Sequence, residues 1–207
     1  MYIDQENYFY YITTINENYT HPEMPKDCEE GIIKGMYVLS DNESYDVRLL
    51  GSGAILREAL KEKDILFKFK IKAQVLSVTS FNLLRKDGME IERYNQLHPS
   101  GKQKLTYVEE CFSDSNVPVI AATDYMRSYA EQIRPYIHSS YTTLGTDGYG
   151  RSDSRQTLRD FFEVDSKSIA RAAIYALYKN DKIDKNQIEN YYKELGIDSN
   201  KPNPWEI

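Results

Sequence analysis

Short apolar runs alternate along this chain with longer segments that have helical spacing. The runs favour buried strands, because Val, Ile and Leu follow one another and end at turn residues. The segments between them repeat apolar residues three and four positions apart, which is the spacing of one helix face. Strands are predicted at Asp46–Leu50, Ala73–Thr79, Val117–Ala122 and Tyr141–Leu144, and helices at Ala54–Phe67, Thr106–Phe112, Tyr125–Ile133, Arg155–Phe162, Lys167–Lys179 and Lys185–Leu195. This alternation predicts an α/β fold with a mainly parallel sheet.

Other segments have weaker patterns. Tyr8–Ile15 is aromatic and β-branched, which predicts a strand, and the polar, proline-containing Asn16–Pro25 predicts a loop. Gly31–Leu39 predicts a short helical turn that runs into a strand, while 81–97 is helical or irregular. Pro135 is expected to stop the helix that precedes it, because proline cannot donate the next backbone hydrogen bond.

Small and polar residues follow the predicted strands, at Gly51-Ser52-Gly53, Thr79-Ser80, Thr123-Asp124 and Gly145-Thr146-Asp147. The carboxyl ends of parallel strands share one edge of the sheet, where α/β folds bind ligands. Gly51-Ser52-Gly53 precedes a predicted helix, so its backbone N–H groups could hold an anion. It lacks the third glycine of a dinucleotide fingerprint and the Lys-Ser/Thr of a P-loop. A tight strand-to-helix turn is therefore favoured, and Asp124 is expected to cap the helix after it.

The charge balance disfavours several classes of partner. The 207 residues carry a net charge of −6, with a pI near 5.2, whereas a nucleic-acid binder or a membrane-surface protein would show a basic face. No apolar run approaches the roughly 20 residues that span a bilayer. Residues 1–6 lack the basic start of a signal peptide. Cys28 and Cys111 are too few for a disulfide framework, which predicts reduced thiols in a cytoplasmic protein.

The three histidines do not have the spacing of a metal site. His21, His98 and His138 are far apart, and the chain contains neither His-Glu-x-x-His nor Cys-x-x-Cys. No metal-binding residue is therefore predicted. His21 lies in the predicted loop 16–25, where an exposed position is favoured and closeness to an active centre is the alternative.

Residues Gly145–Arg155 form the densest cluster of special residues in the chain. Three glycines permit tight turns, and the charged residues between them indicate a shaped loop rather than a linker. Those charged residues are Asp147, Arg151, Asp153 and Arg155. They could bind an anionic ligand, or they could pair with one another and cap the next helix. A structural or subunit-interface role is favoured, with Asp153 or Ser154 as the cap.

This loop also resembles a family signature. Its sequence, Gly-Thr-Asp-Gly-Tyr-Gly-Arg-Ser-Asp-Ser-Arg, is similar to one in the homodimeric, thiamine-dependent decarboxylating component of the pyruvate dehydrogenase complex, where Phe usually replaces Tyr149. Further segments resemble the same family in order along the chain: Tyr10–Tyr19, Leu49–Arg57, Ser77–Phe81, Ala122–Met126 and the tail around Asn203-Pro204. The resemblance covers nearly the whole chain and corresponds to the C-terminal end of a much longer protein.

The resemblance implies a fold and a division of the chain. The expected fold is the three-layer α/β sandwich of the C-terminal domain of transketolase-like enzymes. Residues 1–27 would be the last strand and linker of a preceding pyrimidine-binding domain, and residues 28–207 the C-terminal domain. The family binds thiamine diphosphate and Mg²⁺ through a Gly-Asp-Gly segment, and none occurs here. No catalytic, cofactor-binding or metal-binding residue is therefore predicted within this chain.

The resemblance also implies a function. The full protein would decarboxylate pyruvate and reductively acetylate a lipoyl group, and this chain would serve assembly and the surroundings of the active site. The implied partners are upstream thiamine-binding domains, the second subunit of a homodimer and a lipoyl-bearing acetyltransferase. One alternative is a stand-alone, non-catalytic interaction or assembly module derived from this domain. Another is the terminal domain of a different transketolase-type enzyme, against which the arginine- and serine-containing loop after Tyr149 argues.

Overall fold

The described part of the chain forms one five-stranded sheet. The computed structural model describes residues 2–206 apart from 8, 10, 13, 15, 16, 41–43, 114 and 115. Its strands are β1 (Met36–Ser40), β2 (Val47–Gly51), β3 (Ala73–Val78), β4 (Val119–Ala122) and β5 (Tyr141–Leu144). They lie in the order β1-β3-β2-β4-β5, and only β1 is antiparallel to its neighbour. The predicted mainly parallel sheet is confirmed.

Helices connect the strands and cover both faces of the sheet. They are α1 (Glu29–Lys34), α2 (Leu56–Lys68), α3 (Phe81–Leu97), α4 (Tyr107–Cys111), α5 (Arg127–Glu131), α6 (Arg155–Phe161), α7 (Ser166–Lys179) and α8 (Lys185–Leu195). Short 3₁₀ turns occupy Gly53–Ile55 and Arg134–Tyr136. Gly35 ends α1 in the left-handed conformation, with φ of 112°, which lets β1 begin at once.

Two apolar cores lie on opposite faces of the sheet. Val47 and Leu49 of β2 belong to the core with α2 and α7, whereas Leu50 belongs to the core with α3, α4 and α5. Neighbouring residues of a strand point to opposite faces, so one strand supplies both cores. Burial of each large apolar side chain contributes about 1.5–3 kcal/mol. The result is the three-layer sandwich that the resemblance implied.

The segment 81–97 is one continuous helix. Ser80 caps it, because its side chain accepts the Leu83 N–H at 3.2 Å. A narrow stripe of Phe81, Leu84 and Gly88 is buried, which explains why the periodicity is weak. At Gly88 a Cβ would lie 2.1 Å from the Tyr136 ring, so only glycine lets α3 approach that ring.

Pro135 does not lie at the end of the helix that it was expected to stop. The predicted helix over 125–133 is shorter, at Arg127–Glu131, and Pro135 lies inside the following 3₁₀ turn. At the start of a helical turn the backbone N–H has no intrahelical partner, so proline fits there without losing a hydrogen bond. Pro135 therefore lies in the first positions of a 3₁₀ turn, whereas α5 already ends at Glu131.

The predicted strand over 8–15 is not seen in its described part. Residues 8, 10, 13 and 15 lie outside the described residues, and the others are in neither strand nor helix. Phe9 and Tyr11 are 90% and 87% exposed. A strand requires a partner for its backbone groups, and no described strand pairs with this segment. The boundary between residues 27 and 28 stays a prediction.

Helices α2 and α7 enclose a carboxyl group that has no hydrogen-bond partner among the described residues. Glu62 is fully buried, and neither of its oxygens is bonded. Burial, together with the charge of Asp165 at the start of α7, raises the pKa of Glu62 to about 10. Glu62 is therefore protonated in the folded protein at neutral pH.

We expect Glu62 to make stability depend on pH. In the unfolded chain its pKa is near 4.5, so between about pH 4.5 and 10 only the folded state holds this proton, and stability falls as pH rises. Glu62→Gln cannot ionise. Its free energy of unfolding relative to the wild type should therefore rise by about 2–4 kcal/mol when the pH is raised from 5 to 8. Urea unfolding at both pH values measures this difference.

The exposed Glu90 on α3 provides the matched control. Glu90→Gln should differ from the wild type by the same small amount at both pH values. If the free energies of unfolding of Glu62→Gln and the wild type differed by the same amount at both pH values, Glu62 would not be held protonated.

Candidate functional site

The carboxyl ends of the four parallel strands meet at one edge, as predicted. In spatial order they are Thr79-Ser80, Gly51–Gly53, Thr123-Asp124 and Gly145–Asp147. The chain passes from β2 to β3 on one side and from β4 to β5 on the other, so its direction reverses between β2 and β4. Open α/β sheets bind ligands in the crevice at such a point. This crevice is the candidate site.

Groups that follow the two flanking strands bond one another across the crevice. The Ser52 hydroxyl donates to Thr123 Oγ1 at 2.9 Å, and the Ser52 N–H donates to the Ala122 carbonyl at 3.3 Å. Thr123 Oγ1 also accepts the Tyr125 N–H at 3.2 Å. Ser52 and Thr123 are both buried. Their polar groups therefore satisfy one another.

Gly51-Ser52-Gly53 is a tight strand-to-helix turn. A Cβ at Gly51 would lie 2.6 Å from Leu56 Cα, and Gly53 has a φ of 54° and begins the 3₁₀ turn that leads into α2. Asp124 Oδ1 lies 3.5 Å from the position of a Cβ on Gly53, and burial raises the pKa of this carboxyl group. An incoming anion would meet that carboxyl group, so the geometry supports the turn over an anion site.

Asp147 of the glycine-rich loop binds the start of α5, a task that was predicted for Asp124. Asp147 Oδ1 accepts the Arg127 N–H at 2.9 Å, and Oδ2 lies 3.5 Å from Arg127 Nε. The N-cap of α5 is Met126, not Asp124, and it makes no side-chain cap bond. The prediction that Asp124 caps this helix is therefore wrong. At Gly145 a Cβ would lie 2.6 Å from the Tyr125 carbonyl, and glycine there permits this close approach.

The second half of the loop is exposed. Tyr149 is 94% exposed, and the Arg151 guanidinium lies 5.6 Å from the Phe161 ring. Ser154 is the cap of α6, because its hydroxyl accepts the N–H of the third helix residue at 3.3 Å. Asp153 accepts the Ser154 N–H at 2.6 Å. These contacts support a structural role for the loop.

An ion cluster at the same edge has no signal in the sequence. Arg57 is the second residue of α2, and Arg155 is the first residue of α6. Glu17 lies between them, 3.3 Å from Arg57 Nη1 and 3.8 Å from Arg155 Nε. The three residues come from distant parts of the chain, so no local spacing indicates that they meet.

The histidines do not come together. Each contacts a different neighbour: His21 the Tyr19 ring with centroids 4.8 Å apart, His98 the Tyr94 ring at 4.2 Å, and His138 the Glu109 carboxylate at 3.0 Å. Within the described ranges, no group of three or more His, Cys, Asp or Glu residues could hold a metal ion. Cys28 and Cys111 are free thiols.

Comparison with known families agrees with this architecture. A family described as the transketolase-like TK C-terminal domain matches residues 35–165, a range that contains every described strand. The chain belongs to the transketolase C-terminal domain family. The match ends at Asp165, the N-cap of α7, so α7 and α8 follow the matched range.

Several curated relatives of this transketolase C-terminal domain carry the same name. Pyruvate dehydrogenase E1 components from Pseudomonas aeruginosa, Escherichia coli and Cupriavidus necator are 52%, 46% and 42% identical to it. The alignments cover 97%, 97% and 100% of the chain, but 23%, 23% and 24% of the relatives. The chain thus spans about a quarter of their length, at their C-terminal end.

Solved structures with this fold include transketolases. One from Leishmania mexicana has a TM-score of 0.52 at 18% identity and covers 72% of this chain and 19% of that one. A split-gene transketolase, described as an inactive beta4 tetramer, has a TM-score of 0.51 at 16% identity and covers 76% and 45%. These likenesses establish the fold alone. No helix in the described residues is long and apolar enough to cross a membrane.

We expect the Asp147–Arg127 contact to stabilise the domain. Asp147→Ala removes the acceptor of the Arg127 N–H and the charge beside its guanidinium, both partly buried. The free energy of unfolding should fall by about 1–2 kcal/mol. Asp153→Ala, in the exposed half of the loop, is the matched control and should change it by less than about 0.5 kcal/mol. Equal losses in the two variants, measured by urea unfolding, would contradict this role.

Proposed function

We propose that this chain is the C-terminal domain of a pyruvate dehydrogenase E1 component. The observation that carries the proposal is 42–52% identity, over 97% or more of the chain, to proteins of that name. The complete protein then decarboxylates pyruvate and transfers the acetyl group to a lipoyl group. Because the chain spans about a quarter of these relatives, the reaction belongs to the longer protein.

Within that protein we assign this domain a role in assembly and in shaping the surroundings of the active site. The crevice supports this role, since Ser52 and Thr123 bond each other at the point where α/β folds bind ligands. The glycine-rich loop supports it as well, because Asp147 is engaged with Arg127. We assign no catalytic residue to the chain.

We infer that thiamine diphosphate and Mg²⁺ are not bound by the described residues of this chain. The described ranges hold no cluster of acidic and histidine residues suited to a metal ion. The glycine turn that most resembles a phosphate cradle packs against Leu56 and has Asp124 beside it. We propose that both groups are bound by upstream thiamine-binding domains, and we derive no step of the reaction through them.

The remaining partners follow from the same proposal. They are a second subunit, which makes a homodimer, and the lipoyl-bearing acetyltransferase of the complex. The net charge of −6 is consistent with partners other than nucleic acid. We propose the cytoplasm as the location.

We expect the isolated chain not to bind thiamine diphosphate. The described residues hold no group of three or more His, Cys, Asp or Glu that could bind a metal ion, and the Asp124 carboxyl group lies beside the Gly51-Ser52-Gly53 turn. Calorimetric titration with thiamine diphosphate, with and without Mg²⁺, should give no measurable heat of binding. Micromolar affinity would place a cofactor site within this chain and contradict the proposal.

We expect decarboxylation to require the upstream domains. The purified chain, given pyruvate, thiamine diphosphate and Mg²⁺, should release no carbon dioxide. A Pseudomonas aeruginosa E1 component that lacks the matching C-terminal quarter should gain activity when the chain is added.

A variant that cannot form the strand-to-helix turn is the control for complementation. In Gly51→Val the side chain would collide with Leu56 Cα, and this variant should not restore activity. Turnover by the chain alone, or equal activity with and without it in the mixture, would rule out the proposed role.

A further inference from the structure

Two arginines straddle the carboxyl end of the sheet. Arg57 lies in the first turn of α2, which leaves β2, and Arg155 begins α6, which follows the loop after β5. Strand β4 lies between β2 and β5, so the strands that lead to the two arginines are about 10 Å apart in the sheet. Side chains as long as arginine can converge on one group across such a gap.

The group on which they converge is the Glu17 carboxylate. Its Oε1 lies 3.3 Å from Arg57 Nη1, and its Oε2 lies 3.8 Å from Arg155 Nε. The Oε2 atom is buried and accepts no hydrogen bond within the described structure, so nearby positive charge is what compensates it. A partly buried ion pair is screened by water less than one on the open surface.

Arg57 makes a second contact with the same segment. Its guanidinium lies 4.4 Å from the centroid of the Tyr19 ring, and that ring packs against His21 with centroids 4.8 Å apart. A cation over an aromatic face contributes about 0.5–2 kcal/mol, depending on its exposure. One arginine therefore holds the segment by a carboxylate and by a ring.

The environment of the chain changes at this point. Tyr11 and Ile12 are 87% and 79% exposed, whereas Glu17 and Tyr19 are partly buried. The described residues from 17 to 27 form neither helix nor strand, so backbone pairing within a regular element does not hold them. Side-chain contacts of Glu17 and Tyr19 hold this segment against the carboxyl edge.

We propose that Arg57 and Arg155 form a carboxylate-binding site whose ligand is Glu17 of the same chain. This clamp fixes the described segment that begins at residue 17 to the carboxyl edge. It also lays residues 17–21 beside the end of β2, next to the crevice. The clamp acts in the chain by itself and does not depend on the proposed enzymatic activity.

Chymotrypsin tests the clamp in the 207-residue chain, because it cleaves after tyrosine. In the wild type, cleavage after the exposed Tyr11 should be fast and cleavage after Tyr19 slow. Glu17→Gln keeps the shape of the side chain but removes its charge, and should raise the rate after Tyr19 at least about fivefold, since proteolysis follows the population of the open form. The rate after Tyr11 should not change.

Glu23→Gln is the matched control, because Glu23 is an exposed acid of the same segment. It should leave both cleavage rates at their wild-type values. The melting temperature of Glu17→Gln should remain within about 2 °C of the wild type, as expected for a local contact. A large fall in that temperature, with faster cleavage throughout the chain, would indicate a general packing role and overturn the proposal.

A double variant and added salt test the charge pairing itself. Glu17→Gln combined with Arg57→Gln should be cleaved after Tyr19 more slowly than the product of the two single effects predicts, because coupled partners are not additive and only the pairing with Arg155 is left for Glu17 to lose. Sodium chloride at 1 M, where the Debye length is about 3 Å, should speed Tyr19 cleavage in the wild type but not in Glu17→Gln. The clamp would be overturned if Glu17→Gln were cleaved after Tyr19 as slowly as the wild type. It would also be overturned if the rate increases of the two single variants multiplied in the double variant.

Discussion

Strand β2 has to be buried on both faces at once, and the rest of the domain is arranged to meet that requirement. All five of its residues are buried, with parallel partners on both sides. Its alternate side chains enter different cores, so helices must cover each face. The parallel connections supply those helices, because a chain returning to start a parallel strand has to cross one face of the sheet.

The same requirement explains why polar residues gather at one edge. Helices return the chain to the opposite end of the sheet, so every parallel strand finishes at the same side. There the backbone and hydroxyl groups must find partners, and in this domain they find one another: Ser52 with Thr123, and Asp147 with Arg127. An edge that satisfies its own polar groups is consistent with the supporting role that we propose for this domain.

Two buried glutamates of α2, Glu58 and Glu62, have different environments. Glu58 accepts hydrogen bonds from Lys61, Arg159 and the Ser166 N–H, and it faces positive charge. Glu62 lies one turn further along α2, has neither kind of partner in the described structure, and is protonated instead. The fold thus determines the charge state of two glutamates with the same intrinsic chemistry.

Local pattern was enough for most elements of the fold and for one detail of the site. The apolar runs at β2, β3, β4 and β5 and the spacing in α2 and α7 identified the sheet and one of its two helix layers, because period and burial are properties of neighbouring residues. Ser154 was one of two predicted caps of α6 for the same reason. By contrast, Asp147 in place of Asp124 at α5, and the meeting of Glu17 with Arg57 and Arg155, depend on loops that approach only after the sheet has formed. The sequence by itself determined most of the strands and helices. The tertiary structure alone decided which polar groups face each other, because those partners are distant in the chain and no period relates them.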